Sequence, residues 1–119
     1  MIVRISLLIL LCICINSCSQ NSTIDISKFD EVAWQADKDG CAGTRIEMRS
    51  DLINSKEELK GLNGDQVTSV LGKPNKMNLA DRNQKYFIYN ISCPTSSDNT
   101  STLSIRFNAV GLSYEVIVY

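Results

Sequence analysis

The feature that most constrains the fold is a pair of strand-like runs separated by a very short turn. Residues 102–108 read "TLSIRFN" and alternate in polarity, so that Leu103, Ile105 and Phe107 share one face. Residues 113–119 read "SYEVIVY", which is rich in β-branched and aromatic side chains. The "AVGL" segment between the two runs is too short for the crossover that parallel strands need. The sequence therefore predicts an antiparallel hairpin.

A well-marked helix precedes these strands, in the stretch "LNGDQVTSVLGKP" at residues 62–74. Asn63 can cap the first turn, and Gln66 lies three residues later, as a capping box requires. Gly72 can adopt the left-handed conformation after the last turn, and Pro74 prevents the helix from continuing. The apolar face is formed by Val67, Val70 and Leu71. These signals predict a helix of about eight residues.

Two further helical segments are predicted upstream. Ser27 is expected to cap the first of them, because acidic residues occupy its first turn. Its apolar face would consist of Phe29, Val32 and Ala33. Residues 44–53 predict the second segment from the helical spacing of their side chains. One side of that segment would carry Ile46, Arg49 and Ile53.

A third strand completes the predicted sheet. Residues 84–91 read "QKYFIYNI", a strand composition, and they follow a stretch that we interpret as a polar loop. Helices come first along the chain and strands follow, which is the order of an α+β fold. We therefore predict an α+β domain in which two or three N-terminal helices pack on a three-stranded antiparallel meander.

The first residues resemble the signal of a bacterial lipoprotein. Arg4 precedes an apolar run at residues 5–15, which is too short for the roughly 20 residues of a membrane span but suits a secretory signal. The following "INSC" places Cys18 where lipoproteins are cleaved and acylated. An ordinary cleaved signal and an uncleaved anchor are the alternatives. The expected organisation is a signal peptide at 1–17, lipid on Cys18, a tether at 18–26 and a domain at 27–119.

The cysteines outside this segment predict one disulfide. Cys12 and Cys14 would leave with the signal, and Cys18 would carry the lipid, so Cys41 and Cys93 are the thiols that stay free. An envelope compartment is oxidising, and a small domain gains stability from a bridge. We predict that Cys41 pairs with Cys93. The alternative is that Cys41 is a reactive thiol, for which the chain offers no histidine as activator.

Composition argues against several classes of function. The 12 basic and 13 acidic residues nearly cancel, whereas nucleic-acid binders carry a basic excess. The chain contains no histidine, which removes the commonest general base and the commonest metal ligand. The "DKDG" stretch lacks the acidic residues that a calcium loop needs at its first and last positions. We therefore expect no enzymatic activity, no metal, no cofactor and no nucleic-acid partner.

The stretches "GLNGDQVTSVLGKP", "YFIY" and "LSIRFNAVGLSYEVIV", in this order, resemble the small outer-membrane assembly lipoproteins of the BamE/SmpA type. The resemblance covers residues 50–119 and the lipoprotein signal. It does not extend to residues 24–49, and no partner-binding residue of that family can be matched here. It implies the same helix-then-sheet fold, and a location on the periplasmic side of the outer membrane in a bacterial cell envelope. Similar modules occur in secreted β-lactamase-inhibitor proteins and in lipoproteins of unknown role.

The predicted strand at 84–91 is apolar on both of its faces. Tyr86 and Ile88 lie on one face, and Phe87, Tyr89 and Ile91 on the other. A meander with helices on one side leaves its second face to solvent, so something should cover that face. One candidate is the N-terminal segment with Phe29 and Trp34, and the other is a protein partner. The aromatic residues considered for a partner face are Tyr86, Tyr89 and Tyr114.

These observations lead to an expected function. We expect a lipid-anchored periplasmic module that binds a protein partner, possible roles being outer-membrane protein assembly or envelope integrity. A periplasmic inhibitor that inserts the polar loop at 92–101 is one alternative, with residues 95–99 as its central part. A structural lipoprotein is another.

Overall fold

A computed structural model describes residue 26 and residues 29–94 and 100–119 of the chain. Cys18, the signal peptide at 1–17, the helix cap expected at Ser27 and the loop residues 95–99 lie outside the described residues. Of the expected tether at 18–26, only Ile26 is described, and it is buried in the core. Ile26 therefore belongs to the folded domain.

The domain is α+β, as the sequence predicts. The helices are α1 (Glu31–Ala36), α2 (Thr44–Glu47), α3 (Arg49–Ser55) and α4 (Gly64–Leu71), with a 3₁₀ turn at Lys56–Leu59 between α3 and α4. The strands are β1 (Lys76–Ala80), β2 (Gln84–Asn90), β3 (Thr102–Phe107) and β4 (Ser113–Val118). They form one antiparallel sheet in the order β1-β2-β3-β4. The predicted number of three strands is wrong, because β1 occupies the stretch interpreted as a polar loop.

The helix α4 has the predicted bounds and the predicted caps. The Asn63 side chain accepts a hydrogen bond from the Gln66 backbone N–H at 2.9 Å, and the Gln66 side chain accepts one from the Asn63 N–H at 2.9 Å. At the other end Gly72 has φ +77°, and its N–H donates to the Thr68 carbonyl. The predicted face is buried, comprising Val67, Val70 and Leu71.

The expected faces of the upstream helices are only partly correct: Phe29 is buried and Ala33 packs against the core, but the other apolar residues of these faces are exposed. α1 is capped by Asp30, and Val32 is 81% exposed while Trp34 is fully buried. The segment 44–53 is divided at Met48 into α2 and α3, so its side chains do not share one continuous helical face. Ile46 and Ile53 are consequently exposed. The buried residues of this segment are Arg45, Met48 and Leu52.

The core lies between the helices and one face of the sheet. Burial alternates along β3, where Leu103, Ile105 and Phe107 are buried and the residues between them are not. The helix α4 lies alongside β2 on this face: Gly64 lies beside Phe87, and Gly72 accepts a hydrogen bond from Tyr89. Among the described residues, no helix has the length and apolar character needed to cross a membrane. The fold thus has a helix-covered face and an open face.

Candidate functional site

The loop after α1 is joined to the end of β2 by a disulfide. The sulfur atoms of Cys41 and Cys93 lie 2.11 Å apart, which confirms that the two predicted residues come together. The neighbouring Gly40 has φ +72°, and a Cβ atom there would lie 3.1 Å from backbone atoms of Asn90 and Ile91. Glycine therefore permits both the turn and the close approach of this loop to the sheet.

A buried carboxylate organises the same loop. Asp37 accepts hydrogen bonds from the backbone N–H groups of Ala42 and Arg45, each at 3.0 Å. Burial raises the pKa of Asp37, but these hydrogen bonds and the charge of Arg45 outweigh it, so the pKa lies below its ordinary value. The Asp37 side chain is therefore a fixed anion that holds residues 37–45 in one conformation.

The guanidinium of Arg45 connects this loop to α1 and the sheet. Its Nε donates to the Trp34 carbonyl at 2.9 Å, and its Nη1 donates to the Asn90 carbonyl at 3.0 Å and to Asn75 Oδ1 at 3.2 Å. The guanidinium carbon also lies 4.4 Å from the centroid of the Trp34 ring system. Burial lowers the pKa of Arg45, and the charge of Asp37 opposes this effect. No local pattern in the sequence marks Arg45 or Asp37 as buried.

The carbonyl groups at the end of α4 are satisfied by side chains from α1. Trp34 Nε1 donates to the Leu71 carbonyl at 3.1 Å, and Gln35 Nε2 donates to the Val70 carbonyl at 2.8 Å. Such terminal carbonyls have no partner within their own helix. The described part of the segment at 24–49, which lies outside the family resemblance, is thus joined to α4 through α1.

The aromatic side chains of Phe29 and Trp34 do not cover the second face of the sheet, contrary to one of the two expectations. The ring centroids of Phe29 and Trp34 lie 5.5 Å apart, and those of Trp34 and Tyr89 lie 6.4 Å apart. Tyr89 is fully buried, and its hydroxyl donates to the Gly72 carbonyl at 2.8 Å. Burial raises the pKa of Tyr89, although the charge of Arg45 opposes this. Tyr89 is therefore a core residue, and its assignment to a partner face is wrong.

The open face of the sheet carries a small polar and aromatic cluster at one end. Arg106 lies between two tyrosines, with its guanidinium carbon 5.2 Å from the ring centroid of Tyr86 and 5.4 Å from that of Tyr114. Arg106 also donates to Gln84 Oε1 through Nε at 2.9 Å and Nη2 at 2.6 Å. The Tyr114 hydroxyl donates to the same oxygen at 3.2 Å. These four residues, Gln84, Tyr86, Arg106 and Tyr114, are called the open-face cluster below.

The rest of the open face continues from this cluster. Ile88, Ser104 and Ile117 lie opposite one another on neighbouring strands, and all three are half-buried. Tyr86 is half-buried and Tyr114 is exposed. The contacts of α1 and α4 with the sheet fall on its other face, at Tyr89 and Phe87. Arg106 and Gln84 were not singled out from the sequence, although the alternation of β3 indicates that Arg106 points away from the core.

A pocket of about 400 Å³ lies beside the buried arginine. It is lined by the end of α1, by Arg45 and by residues 71–75. The charged residues in its lining, Lys38, Arg45 and Lys73, are all basic. This lining contains no carboxylate or thiol that could act with them as an acid–base or nucleophilic pair. Among the described residues, no group of three or more His, Cys, Asp or Glu side chains could hold a metal ion.

Comparison of the chain with protein-family models, with curated proteins and with solved structures finds no match. A functional proposal for this domain therefore rests on the geometry described above and on the sequence patterns.

Proposed function

We propose that the chain is a lipid-anchored binding module without enzymatic activity, of the BamE/SmpA type, on the periplasmic side of the outer membrane. In this proposal Cys18 carries the lipid, and the domain binds a protein partner through the open face of its sheet. The observation that carries the binding role is the open-face cluster, an arginine held between two tyrosines on a face that lies opposite the helices.

The composition of the cluster supports recognition of a protein. Tyrosine and arginine are the residue types that most often dominate the energy of protein interfaces. Gln84 fixes the Arg106 guanidinium with two hydrogen bonds, so little side-chain freedom is lost when a partner binds. The half-buried Ile88 and Ile117 extend this polar cluster with apolar surface. An apolar patch with a polar, arginine-containing border is the usual anatomy of a protein interface.

The anchor limits where the partner can lie. Because Ile26 is part of the folded domain, the tether can include residues 18–25 at most, which span about 29 Å or less when fully extended. The open face would therefore act close to the membrane surface, on a partner that is itself in or near the membrane.

Site-specific photo-crosslinking in cells tests the binding role. A photoreactive amino acid replaces Tyr114 or Ile117 on the open face, or Thr68, an exposed residue of α4, as the control position. We expect an adduct of one defined mass from both open-face positions and none from Thr68. In the same experiment Arg106→Met, which removes the charge without setting a carboxylate opposite Glu115, should abolish the adduct while the domain stays folded. Equal adducts from all three positions, or adducts that Arg106→Met leaves unchanged, would contradict the proposal.

The anchor has a separate test. Mass spectrometry should show an acylated chain that begins at Cys18, and Cys18→Ser should move the protein out of the membrane fraction. Fractionation of inner and outer membranes then tests the location. A Cys18→Ser protein that still sediments with membranes would refute the lipid anchor without affecting the binding role.

A further inference from the structure

The outer edge of β1 is the least protected part of the sheet. Met77 is 55% exposed and Leu79 is 84% exposed. The opposite edge is partly closed, because Gly61 donates to the Ser113 carbonyl and Ser113 donates to the Leu62 carbonyl, both at 2.8 Å. Within residues 29–94 and 100–119, β1 pairs only with β2. Edges of this kind are where another strand can add.

The hydrogen-bonding direction of β1 follows from the ladder that it forms with β2. The Asn90 N–H donates to the Asn75 side chain at 2.9 Å, so the backbone of Asn90 points toward β1. In an antiparallel ladder the direction alternates from one residue to the next, so Tyr86 and Ile88 also point toward β1. Their register partners are Asn78 and Lys76. The N–H and C=O groups of Met77 and Leu79 therefore point outward, to the open edge.

We propose that this edge pairs with the same edge of a second copy of the chain, antiparallel and with the two-fold axis at Asn78. In this register Met77 lies opposite Leu79 of the second copy, and Leu79 lies opposite Met77 of the second copy. Both residues have outward-facing backbone groups, so each of the two pairs can exchange two hydrogen bonds. The two four-stranded sheets would become one sheet of eight strands.

The side chains select this register over its neighbours. With the axis at Asn78, the two exposed apolar side chains oppose each other and Lys76 lies opposite Ala80. Moving the axis to Leu79 would place Lys76 opposite Arg82, which sets like charges against each other. Moving it to Met77 would place Pro74, which has no N–H, opposite Ala80 and leave Leu79 opposite Asn75. The register with the axis at Asn78 is therefore the one that places both exposed apolar side chains opposite each other and sets no like charges against each other.

The helices leave room for this pairing. The helix α4 lies alongside β2, so the two α4 helices would be separated by the distance from β2 of one copy, across the two β1 strands, to β2 of the other. This distance is three strand spacings, or about 14 Å. Packed helices approach to about 8–10 Å, so the two helices do not collide. Met77 and Leu79 alternate with Asn78 and share the sheet face on which α4 lies. Their side chains would fill the gap between the two helices.

A cysteine scan along β1 tests the register. The full chain, purified in a non-ionic detergent, carries Asn78→Cys, Met77→Cys or Leu79→Cys, and is oxidised under mild conditions. At the two-fold axis the Asn78 Cα atoms of the two copies are about 4.5 Å apart, which suits a disulfide. Two copies of Leu79, or of Met77, are diagonal neighbours at roughly 7–8 Å, at or beyond the limit for a bridge. We expect Asn78→Cys alone to give a band of doubled mass that reductant removes.

Three controls make the result decisive. The parent chain measures background crosslinking from its own cysteines. Thr68→Cys measures crosslinking by random collision at an exposed site on α4. Thermal unfolding confirms that each variant is folded. Leu79→Lys, placed beside Lys85, should abolish the Asn78→Cys dimer without unfolding the chain. Self-linking of Met77→Cys or Leu79→Cys, equal linking of Thr68→Cys, or failure of folded Asn78→Cys to form the dimer would each overturn the proposal. Loss of this dimer would leave the proposed function intact, because the residues of the open-face cluster belong to β2, β3 and β4 and none of them belongs to β1.

Discussion

The substitution Arg45→Met tests whether the buried polar network stabilises the fold. It removes the guanidinium from a side chain that is 2% exposed, while keeping an apolar stem of similar length. Three acceptors lose their donor, and the Trp34 ring loses the cation that lies 4.4 Å from its centroid. Asp37 also loses the favourable charge of Arg45, which contributes to lowering its pKa.

The expected loss is large in comparison with the stability of a small domain. A buried acceptor left without its donor costs about 1–3 kcal/mol, and more where the donor carried a charge, so a loss of about 3 kcal/mol is expected for this network. The separate hydrogen bonds are not added to this figure, since contributions within one network are not additive. The whole domain is expected to have about 5–15 kcal/mol of stability. At roughly 4–8 °C per kcal/mol, the melting temperature should fall by about 12 °C or more.

Urea unfolding followed by tryptophan fluorescence measures this loss. The chain has one tryptophan, Trp34, which is fully buried, so its emission reports unfolding directly. Circular dichroism provides a second probe that does not depend on the surroundings of Trp34. The matched control is Arg106→Met on the open face, where an arginine at the surface should contribute about 0–1 kcal/mol. Equal midpoint shifts for Arg45→Met and Arg106→Met would refute the argument that burial makes Arg45 structurally important.

Three further predictions concern the core, the bridge and the response to acid. Val67→Asp places a charge in the core and should cost about 3 kcal/mol or more, whereas Thr68→Asp on the exposed side of α4 should change urea stability by less than about 0.5 kcal/mol. Replacing Cys41 and Cys93 with serine removes a bridge across a separation of 52 residues and should cost about 4 kcal/mol; an unfolding midpoint that reduction leaves unchanged would contradict this. The pKa of Asp37 lies below its ordinary value of 3.8, so its charge stabilises the fold above about pH 4 and this contribution is lost as the pH falls through the lowered pKa. Asp37→Asn should therefore be less stable than the parent at neutral pH, and the difference should shrink in acid.

The elements that the sequence predicts well are those whose signals are local. The bounds of α4 follow from its own capping residues, Asn63 and Gln66, and from Gly72 at its end. The hairpin of β3 and β4 follows from alternation and from a turn that permits no other connection. The pairing of Cys41 with Cys93 was predictable because the lipoprotein-signal prediction assigns the other three cysteines to the signal peptide and the lipid anchor.

The elements that the sequence misses depend on contacts between distant residues. β1 contains no β-branched or aromatic residue, and its apolar alternation is limited to Met77 and Leu79, so its composition does not mark it as a strand. It forms because the turn at 81–83, with Arg82 and Asn83 at positive φ, directs the chain back along itself to pair with β2. The face of residues 44–53 was mispredicted because the division at Met48 shifts burial from Ile46 to Arg45. The burial of Arg45 depends on Asp37 and the Asn90 carbonyl, which lie around it only in the folded domain, so the local sequence does not predict it.

The sheet separates the groups that stabilise the domain from the groups proposed to bind. Along β2 the side chains alternate, so Tyr86 and Tyr89 lie on opposite faces although both are tyrosines in one short strand. Tyr89 donates to the carbonyl at the end of α4, whereas Tyr86 contacts Arg106 on the face that no described helix contacts. A substitution in the open-face cluster removes surface contacts and leaves the Arg45 network and the disulfide unchanged. An effect of such a variant on crosslinking can therefore be read as an effect on recognition, provided that its unfolding midpoint matches that of the parent.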